Sequence, residues 1–304
     1  MTISAPDTAV TIIDVTARDG LQNESRLFST DEKLELIRRA LRAGAKRIEV
    51  SSFAHPKYVP QMADAEAVIA GLPDDTDAIF IGLVMNERGV DRALATTIAE
   101  LGFVTAASDT FALKNQNQTR DGSVDMAIAM RAKAIAQGRA ANVTISTAFG
   151  CPFEGEIDPD TVIDMVRRLA DAGFDEIALA DTIGVANPWQ VKALFARAAD
   201  AVPHVSLRAH FHNTRNTALA NIYAAMEVGV RLIDGSIGGI GGCPFAPNAT
   251  GNVPSEDVVY MLHRNSVNTG YNLDGLISTA KWLSEVMERQ LPGMVSRAGA
   301  FPLP

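Results

Sequence analysis

Eight times along this chain a short run of β-branched and apolar residues gives way to a polar or glycine step and then to a longer stretch. The runs lie at 10–16, 47–52, 78–85, 103–107, 142–149, 176–180, 205–212 and 232–238. Amphipathic stretches of helical length separate them, at 30–43, 86–101, 123–137, 158–172, 187–201 and 214–228. Strands alternating with helices of this length imply parallel βαβ units. Gly44, Gly102, Gly173 and Gly229 stand where a helix would end, and glycine takes a left-handed cap without a Cβ penalty. A (β/α)8 barrel typically needs about 250 residues, and roughly 50 more remain for loops and ends. An open doubly wound sheet competes, but the first βα turn has no Gly-x-Gly-x-x-Gly and the strand number suits closure. With no linker or low-complexity segment in view, the expectation is one α/β domain, a TIM barrel over about 10–240. A glycine-rich active-site loop and extra C-terminal helices would fill about 241–304.

Composition removes whole classes of function. With 304 residues and 47% hydrophobic content the chain can bury a sizeable core. Its 27 basic and 36 acidic side chains give a net charge of −9 with no basic block, which argues against nucleic acid as a partner. Two cysteines, Cys151 and Cys243, cannot make a disulfide scaffold and point to a reducing compartment. No apolar run approaches the roughly 18–20 residues needed to cross a bilayer, so no membrane is expected. The first ten residues carry no secretory pattern, and the expected location is cytoplasmic.

In a barrel of this kind the chemistry comes from the C-terminal ends of the strands. The polar residues fall there: Arg18-Asp19-Gly20 after the first strand, Glu49, Ser51 and Ser52 on the second, and Asp181-Thr182 on the sixth. The seventh ends in His210-Phe211-His212, and the eighth leads into Gly238-Gly239-Ile240-Gly241-Gly242-Cys243, then Asn248 and Asn252. His210 and His212, two apart on a strand, point to one face and can reach one cation. Asp19 and Asn252 at the same rim complete a nitrogen–oxygen donor set that suits Mg²⁺ or Mn²⁺, with Zn²⁺ the lesser alternative. Arg18 is either a salt-bridge partner or a fixed cation for a developing oxyanion. Glu49 and Asp181 either pair with Arg18 or a lysine, or orient the metal site and tune proton transfer. Cys243, on a loop that glycine makes pliable, is a candidate acid or base, whereas Cys151 reads as structural. His204 and His263 read as bland, and His55 lies near enough to the second strand to touch substrate.

These residues resemble the 3-hydroxy-3-methylglutaryl-CoA lyase family of metal-dependent barrel lyases. The resemblance rests on Arg18-Asp19-Gly20-Leu21-Gln22-Asn23-Glu24, Glu49-Val50-Ser51-Ser52-Phe53, Val59-Pro60-Gln61-Met62 and Lys114-Asn115. It continues through Gly150-Cys151-Pro152-Phe153-Glu154-Gly155, Asp181-Thr182-Ile183-Gly184-Val185, the histidine pair, Gly241-Gly242-Cys243-Pro244-Phe245-Ala246-Pro247 and Gly251-Asn252. It implies a lyase that splits 3-hydroxy-3-methylglutaryl-CoA into acetyl-CoA and acetoacetate, as in leucine degradation and ketone-body formation. Asp19, His210, His212 and Asn252 would bind the cation. Asp19 or the metal-site network would be the base, Arg18 would stabilise the enolate and Cys243 would protonate it, with Glu49 and Asp181 in support. Arg18, Gln22, Ser52, Lys57 and Asn115 would contact the acyl-CoA thioester, and the protein would be a homo-oligomer, a dimer or higher. A lyase for a related thioester such as citramalyl-CoA, a condensing synthase and a non-catalytic metal- or CoA-binding protein are the alternatives.

Departures from the family pattern bear on the substrate. Asn213-Thr214-Arg215-Asn216 stands where members usually read Asp-Thr-Tyr-Gly, and Ala17 where proline is usual. Ala186-Asn187 likewise departs from the usual residues. Arg215 is expected either to meet an extra substrate carboxylate or to pair with an acid on a helix face.

Overall fold

A computed structural model describes residues 9–242 and 251–302. Its eight strands are β1 (Thr11–Asp14), β2 (Arg47–Ser52), β3 (Ile79–Val84), β4 (Glu100–Ala106), β5 (Ala140–Ser146), β6 (Glu176–Asp181), β7 (Ser206–Phe211) and β8 (Leu232–Gly235). They pair in chain order, all parallel, and β1 pairs with β8 from Thr11↔Leu232 to Asp14↔Gly235 to close the ring. The fold is a (β/α)8 TIM barrel.

Helices cover the outside: α1 (Thr30–Arg42), α2 (Ala65–Ala70), α3 (Glu87–Leu94), α4 (Asp109–Gln116), α5 (Arg120–Ala136), α6 (Pro159–Asp171), α7 (Pro188–Ala201) and α8 (Ala218–Glu227). Three more, α9 (Ser255–His263), α10 (Leu273–Val286) and α11 (Val295–Ala298), follow the last strand. α1 starts where its sequence says it should. Ser29 and Glu32 form a reciprocal capping box that satisfies two backbone donors. The helix expected over 86–101 stops at Leu94, because Glu100 and Leu101 pair in register with both β3 and β5. Sheet hydrogen bonding there overrides the helical pattern. Gly102 is therefore no helix cap. It lies inside β4, where an added Cβ would stand 3.5 Å from Glu49 Oε1.

Apolar residues pack between the strands and the helices, with Phe103, Phe174, Phe195 and Phe211 fully buried. Burying each such ring contributes about 1.5–3 kcal/mol. The lumen is different, because strand alternation turns charged side chains inward at its N-terminal end. Arg47 bonds Glu176 at 2.7 Å and Glu100 at 2.6 Å, and Asn142 donates to Glu100 at 2.7 Å. Arg208 lies next in, 3.1 Å from Glu176 and 3.0 Å from the Asn142 amide oxygen. Among the described residues no helix is long and apolar enough to cross a membrane.

Candidate active site

After Asp14 the chain leaves β1 in one wide turn, Thr16–Gly20, closed by the Gly20 N–H donating to Val15 O at 3.0 Å. That turn carries Arg18 and Asp19 over the C-terminal mouth. Arg18 Nε and Nη2 reach Glu49 Oε2 at 2.6 and 2.5 Å, and Nη1 reaches Asp19 Oδ1 at 2.6 Å. The other Asp19 oxygen, Oδ2, accepts from Asn252 Nδ2 at 2.6 Å. It also faces His212 Nε2 at 3.6 Å and His210 Nε2 at 4.0 Å. Ligand atoms of Asp19, His210 and His212 lie within 4.8 Å of one another, a group able to hold a metal ion.

Charge states suit that role. Burial pushes Asp19 up, but Arg18 foremost, then the two imidazoles and the Asn252 amide, hold its carboxyl at about 2. Burial takes His212 down to about 4, so its ring nitrogens keep a lone pair for a cation at neutral pH. For His210 burial works the same way, yet the hydrogen bond and charge of Asp234 outweigh it and raise the imidazole. Burial also opposes the Arg18 charge, and Glu49 followed by Asp19 outweigh it.

The described part of the glycine-rich loop crosses directly above this group. Gly241 has φ +109°, and an added Cβ would stand 2.6 Å from Asn252 Nδ2 and 2.7 Å from Asp19 O. Only glycine meets both the backbone angle and the close approach. Asn23 Nδ2 donates to Gly242 O at 2.7 Å and pins the loop to the β1 turn. Asn252 arrives through an antiparallel bridge to His212. Its amide nitrogen faces Asp19, so in this arrangement it orients the carboxylate. The cavity beneath has Arg18, Asp19, Glu49 and both histidines on one side and an apolar wall that includes Ile81, Leu83 and Met85.

A sequence profile described as HMGL-like matches residues 9–283. An (R)-citramalyl-CoA lyase of Chloroflexus aurantiacus is 42% identical over 96% of this chain and 95% of its own. The chain belongs to the HMGL-like family. A hydroxymethylglutaryl-CoA lyase of Bacillus subtilis is 39% identical, covering 93% of this chain and 95% of its own. Among solved structures, an HMG-CoA lyase from Acinetobacter baumannii in complex with coenzyme A and 3-methylmalate superposes with a TM-score of 0.92. That protein is 37% identical, covering 97% of this chain and 98% of its own. The relatives are lyases, and this HMGL-like chain is a lyase of their kind.

The HMGL-like barrel brings together only part of the residue set expected from sequence. Arg18, Asp19, Gln22, Glu49, Asn115, His210 and His212 line the cavity. Asp181 does not. Its two oxygens accept from the Val185 and Ala186 N–H groups, each at 2.9 Å, because the left-handed turn at Gly184 folds those amides back onto it. It shapes the loop after β6 instead of pairing with Arg18. Ser52 sits beside Leu83 in register after an irregularity between Glu49 and Ser51, but it is fully buried and its Oγ accepts from Ala54 N–H at 3.2 Å. Lys57 lies on the exposed loop beyond β2, outside the cavity wall. Arg215 meets neither a substrate-facing position nor a helix acid. Its Nη1 donates to the Ile183 and Gly184 carbonyls at 3.1 and 2.9 Å and braces the same loop. Cys243 and Asn248 lie outside the described residues.

Two buried charges went unanticipated. Asp234 Oδ2 stands 3.0 Å from His210 Nδ1, and Arg208 Nε stands 3.5 Å from Asp234 Oδ1. Their signal was present: an acid inside the apolar run of β8, and an arginine on the same strand face as both histidines.

Proposed function

We propose that this lyase cleaves an acyl-CoA thioester bearing a tertiary 3-hydroxyl, a 3-methyl group and a terminal carboxylate, with 3-hydroxy-3-methylglutaryl-CoA the leading substrate. The observation that carries the reading is the juxtaposition of the Arg18 guanidinium with the Asp19–His210–His212 donor group on one cavity. Asp19, His210 and His212 would hold the cation, with Asn252 beside them. An oxygen-and-nitrogen set without thiolate among its described members suits Mg²⁺ or Mn²⁺. A bound divalent ion would polarise the hydroxyl and carboxylate oxygens of the substrate.

The protein groups then divide the work. Asp19, or the network around the cation, takes the proton of the tertiary hydroxyl, whose acidity the cation would raise. As the C–O⁻ collapses to a ketone, the C2–C3 bond breaks and its electron pair moves into the thioester, giving the enolate of acetyl-CoA and acetoacetate. Arg18, fixed by Glu49 and Asp19, places a positive charge at the enolate oxygen as it forms, where a preorganised donor acts most strongly. Cys243, by the family resemblance, delivers a proton to C2 and completes acetyl-CoA. Gln22 and Asn115, on the cavity wall, orient the acyl chain.

A second reading has its own support: the relative at 42% identity is named an (R)-citramalyl-CoA lyase. Citramalyl-CoA lacks one methylene, undergoes the same bond cleavage and leaves pyruvate as the ketone. Purified protein with Mg²⁺ or Mn²⁺, given both thioesters, separates the readings. Acetyl-CoA with acetoacetate supports the first, and acetyl-CoA with pyruvate alone moves the substrate to the second. No acetyl-CoA from either, with metal bound, overturns the assignment.

A further inference from the structure

The two imidazoles of the donor group are held in different ways. Among the described residues His212 Nδ1 is buried without a hydrogen-bond partner. His210 Nδ1 is 3.0 Å from Asp234 Oδ2, which leaves His210 Nε2 turned toward Asp19. Asp234 in turn forms an ion pair with Arg208, whose Nε faces Oδ1 at 3.5 Å, and among the described residues neither of those two atoms makes a hydrogen bond, so the link is one of charge. Arg208 is itself fixed from three sides: Nη1 by Glu176 at 3.1 Å, and Nη2 by Asn142 at 3.0 Å and Thr144 at 3.2 Å. Although Arg208 borders the cavity floor, these contacts commit its guanidinium to protein acceptors and keep it from serving as a substrate receptor.

We propose that Asp234 and Arg208 are positioning residues for the cation ligand His210. Asp234 holds the ring as the Nδ1–H tautomer, which leaves the Nε2 lone pair for the ion, and Arg208 holds Asp234. A carboxylate behind a ligating histidine fixes both tautomer and ring angle, and it raises the donor strength of the other nitrogen. The chain connects β5, β6, β7 and β8, so the ligand's orientation is set by the barrel wall and not by the loops at its mouth. Among the described residues His212 has no such brace, and loss of Asp234 loosens the other ligand of the pair. This inference rests on the metal reading of the site.

The test is Mn²⁺ titration of the whole chain, read by the loss of the free-ion EPR signal. Asp234→Ala raises the Mn²⁺ Kd by about 10–100-fold. Asp234→Asn, whose amide oxygen still accepts from Nδ1–H, falls between the alanine variant and wild type. Arg208→Met shifts Kd in the same direction, and the Asp234→Ala/Arg208→Met double variant binds no more weakly than Asp234→Ala alone, since both act through one chain. Additive losses overturn the role of Arg208, and an Asp234→Ala Kd within twofold of wild type overturns that of Asp234. Wild-type protein that binds no Mn²⁺ overturns the metal reading itself. Should the alanine variant fail to fold, long-range ¹H–¹⁵N correlation on the wild-type Mg²⁺ form decides: a protonated Nδ1 on His210 supports the proposal and a protonated Nε2 overturns it.

Discussion

At Arg18 the side-chain type matters as much as its charge. Two of its nitrogens converge on one Glu49 oxygen while the third holds Asp19, a fork that a lysine ammonium cannot reproduce. This leaves the guanidinium charged and fixed before substrate arrives. We expect Arg18→Met to lower kcat by at least about 10²–10³-fold, the cost of losing one preorganised oxyanion donor, while Mn²⁺ still binds. Single-turnover acetyl-CoA release and the EPR titration measure the two separately, and a near-normal rate removes Arg18 from the mechanism. Arg18, Asp19 and the histidine pair were legible in the sequence because each sits at or just after the C-terminal end of a strand, where this fold collects its chemistry. Asp181 and Ser52 satisfied the same rule and yet serve their own loops. Which way a carboxylate turns depends on where the next amides fall, and at Asp181 that was decided by the backbone turn at Gly184.

Between β8 and α9 the base of the glycine-rich loop is tied by a buried acid. Glu256 Oε2 accepts from the Gly238 N–H at 3.0 Å, and an added Cβ at Gly293 would stand 2.1 Å from Oε1. Burial lifts this carboxyl to about 7. Between roughly pH 4.5 and 7 the folded chain therefore keeps a proton that the unfolded chain has released. Stability falls as pH rises through that window, by about 1.4 kcal/mol per unit for this group, and levels off above it. Asp14, also raised to about 7 by burial, acts in the same sense. Glu256→Gln keeps the acceptor for Gly238 and cannot ionise, so the difference in unfolding free energy between variant and wild type should widen from pH 5 to pH 7. Urea unfolding at pH 5, 6, 7 and 8 reads this, and parallel profiles would show that the carboxyl ionises freely in the folded state.

Across the whole barrel, charge runs from the floor to the mouth. Arg47 joins Glu100 and Glu176, Arg208 joins Glu176 to Asp234, and Asp234 meets His210 below the donor group. Replacing both partners of a buried pair can be nearly neutral, but removing one strands the other. Arg47→Met, which leaves the buried Glu100 without a cation and Glu176 with Arg208 alone, should cost about 3–5 kcal/mol of unfolding free energy. A loss below about 1 kcal/mol by denaturant titration would mean that Asn142 and Arg208 suffice for the two acids.

The sequence by itself determined the barrel, since eight βα units of regular length allow few closed arrangements, and it determined the strand ends where chemistry collects. It also located α1 through the amphipathic stretch at 30–43, and the structure adds the Ser29–Glu32 capping box at its start. Only the tertiary structure decided that Glu100 and Leu101 belong to a strand, because that depends on hydrogen bonds to β3 and β5, elements distant in the chain. It likewise decided that Asp234 and Arg208 stand behind His210 and that Asp181 and Arg215 brace a loop. The inward or outward face of a residue follows from strand periodicity. The partner it meets across the lumen follows from register and closure, which no local stretch of sequence encodes.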